Sequence, residues 1–296
     1  MLKSKRKEDE KKMEIVTDPQ EFQKRAFADR AAGLKTALVP TMGFLHEGHK
    51  SLMEYARQNA DRVYASVFVN PTQFGPTEDL EDYPRDLEHD AQLAESAGVD
   101  ILFVPEARKI YAANHAAWVE VPQLAEHLCG QSRPIHFRGV ATVVSILLHL
   151  AMPSIAIFGE KDWQQQAILR RMVRDLWIPT EIVARPIVRE ADGLAKSSRN
   201  LYLTESERKQ APGLHAGLLH LAKKAKNGER DVAELRKELE KYFAEHVPAG
   251  KIDYIEFVNP EEIQPVTRLE GPTLVAIAVA LGKARLIDNQ LLLGED

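Results

Sequence analysis

The sequence predicts an α/β protein: a doubly wound, Rossmann-like parallel sheet followed by a smaller C-terminal α+β unit. From Lys35 onward, short apolar and β-branched runs alternate with helix-length stretches whose apolar residues recur at helical spacing. Past about residue 189 this alternation stops, and two helical stretches are followed by adjacent strands. In order, 36–39, 62–69, 100–104, 155–158 and 181–188 read as strands, while 48–59, 87–97, 139–151 and 164–176 read as helices. Gly98 stands where a left-handed residue ends a helix, just before the strand that opens at Asp100. Then come helices over 205–226 and 230–246, separated by Asn227-Gly228, and strands over 252–258, 274–281 and 284–287. The expected division is a disordered charged tail (1–12), a doubly wound, Rossmann-like domain (13–188) and a C-terminal α+β domain (189–296).

Composition narrows the function classes. Of 296 residues, 44% are apolar and 28% charged, as in a globular protein that buries its own core. The longest apolar stretches, 140–152 and 274–281, fall short of the ~18–20 residues a membrane-spanning helix needs, so no membrane role is expected. Lys plus Arg is 39 and Asp plus Glu 44, a net −5, without a long basic run beyond the first dozen residues. That balance points to small molecules rather than nucleic acid. The single cysteine, Cys129, can make neither an internal disulfide nor a thiolate metal cluster. Residues 3–12 hold six basic and three acidic side chains and no apolar core for a secretory signal, so the expected location is the cytoplasm.

Parallel sheets of this kind bind ligands beyond the C-terminal ends of their strands, so the loop after the first strand comes first. It contains His46-Glu-Gly-His49, two histidines that would project from nearly one side of a helix start. Free N–H groups and the positive dipole end there favour an anion, and imidazole N–H donors can hold the phosphates of a nucleotide. A phosphate-cradling P-loop fits less well, because His49 stands where that motif has its lysine. A metal site would need a third ligand such as His115 or His136.

His46-x-Gly48-His49 resembles the HIGH motif of the adenylyl-transferring α/β superfamily, whose members pair it with a KMSKS-like loop. Lys196-Ser-Ser-Arg-Asn200 stands after the last strand of the predicted sheet, where such a loop belongs. Within that superfamily the chain is similar, over about 13–290, to the pantoate–β-alanine ligase (pantothenate synthetase) family. The resemblance rests on Val39-Pro-Thr-Met-Gly43 with the histidines, Phe68-Val-Asn-Pro-Thr-Gln-Phe74, Tyr83-Pro-Arg85 and the Arg133–Val140 segment. It continues in Phe158-Gly-Glu-Lys-Asp162, Gln164-Gln165, Asp192-Gly-Leu-Ala195, Ser197-Ser-Arg-Asn200 and Arg285-Leu-Ile-Asp-Asn289.

What the resemblance implies is ATP-dependent condensation of (R)-pantoate with β-alanine through a pantoyl adenylate, with Mg²⁺ as cofactor and a homodimer as assembly. It implies an ATP site from Met42, Gly43, Phe44, Leu45, His46, Glu47, Gly48 and His49, with Gly159, Glu160, Lys161 and Asp162. Val188, Lys196, Ser197, Ser198 and Arg199 complete that site, the 196–200 segment acting as a lid. His49 is cast as proton donor, supported by His46, Lys161 and Arg199; Gln73 and Gln165 hold pantoate, Gln73 also near β-alanine; Asp90 is a candidate Mg²⁺ ligand. Plainer roles compete: Asp162 as a helix cap, one of the neighbours Gln164 and Gln165 as a solvated side chain, Asp90 as a helix-surface carboxylate, and Arg133 and His136 as loop residues. Ile135, Ile146 and Lys196 depart from the family pattern, Ile146 standing where a lysine is common. The other readings are a different nucleotidyltransferase or a non-catalytic nucleotide-binding relative.

Overall fold

Six parallel strands form the main sheet: β1 (Glu14–Val16), β2 (Thr36–Thr41), β3 (Arg62–Val67), β4 (Ile101–Phe103), β5 (Ile155–Gly159) and β6 (Glu181–Arg185). Their spatial order is β1-β4-β3-β2-β5-β6. This computed structural model describes residues 12–76 and 78–294, so the expected tail lies outside the described residues apart from Lys12. The chain runs outward from β2 through β3 to β4, then returns to the other side of β2 as β5 and β6. The direction of winding therefore reverses between β2 and β5, and the loops leaving those two strands become neighbours.

Both faces of the sheet are covered, which is why its central strands read as unbroken apolar runs. Helices α1 (Pro19–Ala31), α6 (His136–Ala151) and α7 (Trp163–Asp175) pack on the side that carries Leu38, Tyr64 and Phe103. Helices α2 (Glu47–Asn59) and α3 (Leu87–Ser96) cover Ala37, Val39, Ala65 and Leu102 on the other. Two short helices, α4 (Ala107–Ile110) and α5 (Cys129–Ser132), lie in the connections.

β1 and α1 precede the point where the sequence pattern begins to alternate. A three-residue strand offers no periodicity, and α1 buries only Phe22 and Ala26, too few for an amphipathic stripe. Its local signal is the cap: Asp18 accepts from the Gln20 and Glu21 amides, and Pro19 opens the helix.

After a 3₁₀ turn over Ser198–Tyr202 come α8 (Glu205–Gln210), α9 (Gly213–Lys226) and α10 (Val232–His246). The helix expected over 205–226 is broken at Ala211-Pro212, where proline lacks the N–H to continue it. The antiparallel strands β7 (Gly250–Val258), β8 (Thr273–Leu281) and β9 (Ala284–Leu292) follow, β8 in the middle. β8 is buried on both faces. Val275, Ile277 and Val279 meet Leu218, Leu221, Leu239 and Phe243 of α9 and α10. Leu274 and Ala276 join the core of the main sheet, so the small sheet forms a wall over the C-terminal ends of the parallel strands.

Candidate active site

The loop after β2 is held in shape by one buried carboxylate. Gly43 has φ +88, and a Cβ there would lie 2.8 Å from Val67 Cγ1. Phe44 is also left-handed at φ 51, a conformation that costs a non-glycine residue free energy unless its surroundings fix it. Asp90, reaching across from α3, fixes it by accepting from the Phe44 amide at 2.8 Å and the Leu45 amide at 2.6 Å. Asp90 is 1% exposed. It is thus not a helix-surface carboxylate, and it holds the loop that presents the histidines.

His46 is the N-cap of α2. Its Nδ1 accepts from the Gly48 amide at 3.1 Å, and His49 Nδ1 accepts from the His46 amide at 3.3 Å. Gly48 is needed for this fold-back, since a Cβ would come within 2.8 Å of the His46 ring. With both Nδ1 atoms accepting, the proton of each neutral ring sits on Nε2. The rings lie 4.1 Å apart, centroid to centroid, and both line the cavity. Burial, with Lys161 and Lys196 nearby, lowers the His46 pKa to about 4. Burial, then His46 and Lys161, carries His49 well below its ordinary value. The pair therefore offers two neutral N–H donors at neutral pH.

Across the switch point, β5 ends in a 3₁₀ turn over Glu160–Asp162. Asn289 of β9 donates to the Glu160 and Lys161 carbonyls at 2.9 and 3.0 Å, tying this turn to the small sheet. Asp288 beside it is gripped by both ends of the Arg189 guanidinium at 2.7 and 2.9 Å. The Lys161 ammonium has no ion-pair partner among the described residues and faces the cavity. Asp162 occupies the N-cap position of α7 without making the capping hydrogen bond, so it stands as a cavity-wall residue instead.

The third wall is the 196–200 segment. Ser197 caps its 3₁₀ turn, Ser198 Oγ lies 3.5 Å from the Tyr83 hydroxyl, and Arg199 donates to Asp79 through Nε and Nη2 at 3.1 and 2.9 Å. Lys196 turns away from the cavity to meet Glu47 at 3.1 Å. That ion pair joins the segment to the first turn of α2.

These walls enclose a cavity of about 480 Å³. Of the residues singled out in the sequence, Met42, His46, His49, Gln73, Arg133, His136, Lys161, Asp162, Gln164, Gln165, Ser197, Ser198 and Arg199 line it. Gly43, Phe44, Leu45, Glu47, Gly48, Gly159, Glu160, Val188 and Lys196 are not part of that lining. Gln164 is buried rather than solvated: it donates to the Leu124 and His127 carbonyls and accepts from the Cys129 amide, pinning the 124–129 loop. Val143, Val144 and Leu147 of α6 reach the cavity but Ile146 does not. Ile135 is exposed.

Asn70 was not among the expected residues, although it sits in the Phe68–Phe74 motif. It is buried and lines the cavity, donating to Gln73 Oε1 and the Gly139 carbonyl and accepting from the Tyr111 hydroxyl. An asparagine before a proline is a turn signal, and that signal masked its place in the site.

A pH consequence follows from the rings. Adenylation should keep its rate on acidification to about pH 5, its acid limb lying near 4 where His46 takes a proton. The stability effect has a definite sign. These histidines bind protons less readily folded than unfolded, so stability is complete above pH 6.5 and falls as pH drops below it. An acid limb centred on 6.5 would mean that the rings protonate freely.

Comparisons with known proteins converge with this geometry. The family model described as pantoate-beta-alanine ligase matches residues 14–291. The pantothenate synthetase of Nitratidesulfovibrio vulgaris (strain DP4) is 56% identical over 283 residues, covering 96% of this chain and 100% of the relative. The crystal structure of pantothenate synthetase from Thermus thermophilus superposes with a TM-score of 0.87 at 45% identity, covering 94% of this chain and 99% of that one. That of pantoate-beta-alanine ligase from Francisella tularensis, complexed with beta-gamma ATP and beta-alanine, gives 0.77 at 34% identity, covering 94% and 97%. A family match across nearly the whole chain, on a fold whose switch point gathers two histidines, a lysine and a serine-arginine segment, leaves one assignment: the chain belongs to the pantoate-beta-alanine ligase family.

Proposed function

We propose that this cavity carries out ATP-dependent ligation of (R)-pantoate to β-alanine through a pantoyl adenylate. The observation that carries the reading is the convergence, in one enclosed space, of neutral Nε2–H donors from His46 and His49 with the Lys161 and Arg199 cations and the neutral amides of Gln73 and Gln165. Pantoate's carboxylate attacks the α-phosphorus as the bond to pyrophosphate breaks, so negative charge grows on the phosphate oxygens. Preorganised donors and cations stabilise that charge most where water is excluded. Gln73 and Gln165 can bind pantoate's hydroxyls and carboxylate without neutralising the attacking oxygen. Its geminal methyl groups fit the apolar wall of Val140, Val143, Val144 and Phe158. β-Alanine's amine then attacks the acyl carbon and displaces AMP, forming the amide; the ammonium loses a proton in the process. The Francisella relative's complex with a nucleotide and β-alanine is consistent with both ligands sharing such a cavity.

Mg²⁺ would enter with the nucleotide. No group of three or more His, Cys, Asp or Glu that could hold a metal occurs among the described residues, and each Asp90 oxygen already accepts from a backbone amide. Magnesium is commonly carried by substrate phosphates and water rather than by an all-protein cage. A homodimer, measurable by light scattering, and a cytoplasmic location complete the proposal; no helix among the described residues is long and apolar enough to cross a membrane.

Isotope exchange tests the reaction. ATP and pantoate alone should exchange labelled pyrophosphate into ATP, and β-alanine should be needed only for net turnover. Exchange that requires β-alanine would replace the adenylate route with a concerted one.

A further inference from the structure

Gln73 is the last residue of a 3₁₀ turn, Pro71–Gln73, that lies against the start of α6. The approach is close: a Cβ on Gly139 of α6 would come within 2.4 Å of the Thr72 carbonyl oxygen and 2.6 Å of the Gln73 nitrogen. At its outer end the turn presents the Gln73 carbonyl to two side chains that the reaction above does not use. His136 Nδ1 lies 3.0 Å from that oxygen and Arg133 Nη2 3.4 Å. Arg133 is itself fixed, donating from Nε and Nη2 to Glu78 at 2.6 Å each and from Nη1 towards His136 Nε2 at 3.2 Å. The donors and acceptors close consistently. Arg133 can only donate, so His136 Nε2 accepts, its Nδ1 carries the proton, and that proton goes to the Gln73 carbonyl. Burial and the adjacent guanidinium hold His136 down to about 3, which keeps the ring neutral and in this tautomer at neutral pH.

The side chain of Gln73 is held as firmly. Its Oε1 accepts from Asn70 Nδ2 at 3.0 Å and its Nε2 contacts Met42 Sδ at 3.0 Å. One amide N–H and one carbonyl lone pair remain for a ligand. The orientation of those two groups depends on the backbone that carries them, and that backbone is clamped at its carbonyl by Arg133 and His136. We infer that Arg133 and His136 are positioning residues for pantoate: they fix the Gln73 backbone so that its side-chain amide meets the substrate's polar groups. This rests on the reading of Gln73 as a pantoate ligand.

The effect expected is on pantoate recognition, because a misplaced amide weakens one substrate's contacts and leaves the His46–His49 and Ser197–Arg199 walls in place. Steady-state pyrophosphate release should be followed for His136→Ala, His136→Asn, Arg133→Lys and, as a reference, Gln73→Ala. His136→Ala should raise the pantoate KM on the order of tenfold, with the ATP KM within about twofold of the parent enzyme. His136→Asn, whose amide N–H can replace Nδ1–H towards the Gln73 carbonyl, should recover part of the loss. Arg133→Lys keeps a charge for Glu78 but loses the guanidinium fork, and should give the same split more weakly; it stands in if His136→Ala does not fold. Equal rises in both KM values, or a lowered melting temperature with unchanged kinetics, would overturn the inference. If Gln73→Ala itself leaves the pantoate KM unchanged, the pantoate reading of Gln73 fails instead.

Discussion

His49→Ala should lower kcat/KM for adenylation by at least ~100-fold, the scale of removing one preorganised transition-state donor. His49 reaches the cavity from the first turn of α2, and its Nδ1 is engaged by the His46 amide, so its Nε2–H is aimed before any ligand arrives. Alanine removes that donor and lets water into the space beside the phosphates, where shielding gives each hydrogen bond its strength. The fold should suffer little. The variant loses half of a reciprocal helix cap, a contribution of about 1 kcal/mol, so the melting temperature should move by only a few degrees. His49→Gln separates the two contributions, because its amide can donate from a position close to Nε2 and should restore part of the rate. Stopped-flow or exchange measurements under saturating ATP give the comparison, and near-parental turnover in His49→Ala would remove the histidine pair from the mechanism.

Asp90→Ala should be damaging twice over. Its carboxylate is buried and satisfies the Phe44 and Leu45 amides. Leaving two buried N–H groups without partners costs roughly 2–4 kcal/mol. The same change releases the left-handed backbone at Phe44, which is strained without that support. Because the loop leads directly into the N-cap at His46, loosening it moves both histidines. Activity should therefore fall on the order of 100-fold although Asp90 does not line the main cavity. Asp90→Asn is the discriminating partner: one amide oxygen can still accept, but its NH₂ group faces a backbone donor, so recovery should be small. Chemical denaturation and adenylation rates should deteriorate together across the two variants. A stability loss with the rate retained would mean that the loop keeps its shape by other contacts.

What the sequence determined by itself is what depends on short-range pattern. The alternation of apolar strands with amphipathic helices required a parallel sheet, because strands such as 155–158 are apolar on both faces. His46-x-Gly48-His49 located a helix start with two imidazoles, since cap and spacing are local features. Ser197-Ser-Arg199 was legible as a polar, cationic segment after the last strand of the sheet.

Tertiary structure decided what lies far apart in the chain. Asp90 reads as a helix-surface carboxylate or a magnesium ligand, and only the packing of α3 beside the β2 loop brings it 46 residues back to Phe44. Gln164 and Gln165 are chemically identical neighbours that both line the cavity, yet their different directions from α7 engage the Gln164 amide with the 124–129 loop. The strand expected over 284–287 continues through Asn289, whose side-chain amide satisfies the Glu160 and Lys161 carbonyls of the opposite wall. Lys196, which the family resemblance places at the ATP site, pairs with Glu47, 149 residues away in the chain, and so links its segment to α2. The physical reason is the same in each case. A side chain's partner is set by which elements the sheet order makes neighbours, and the reversal of winding between β2 and β5 is a property of the assembled sheet that no local stretch contains.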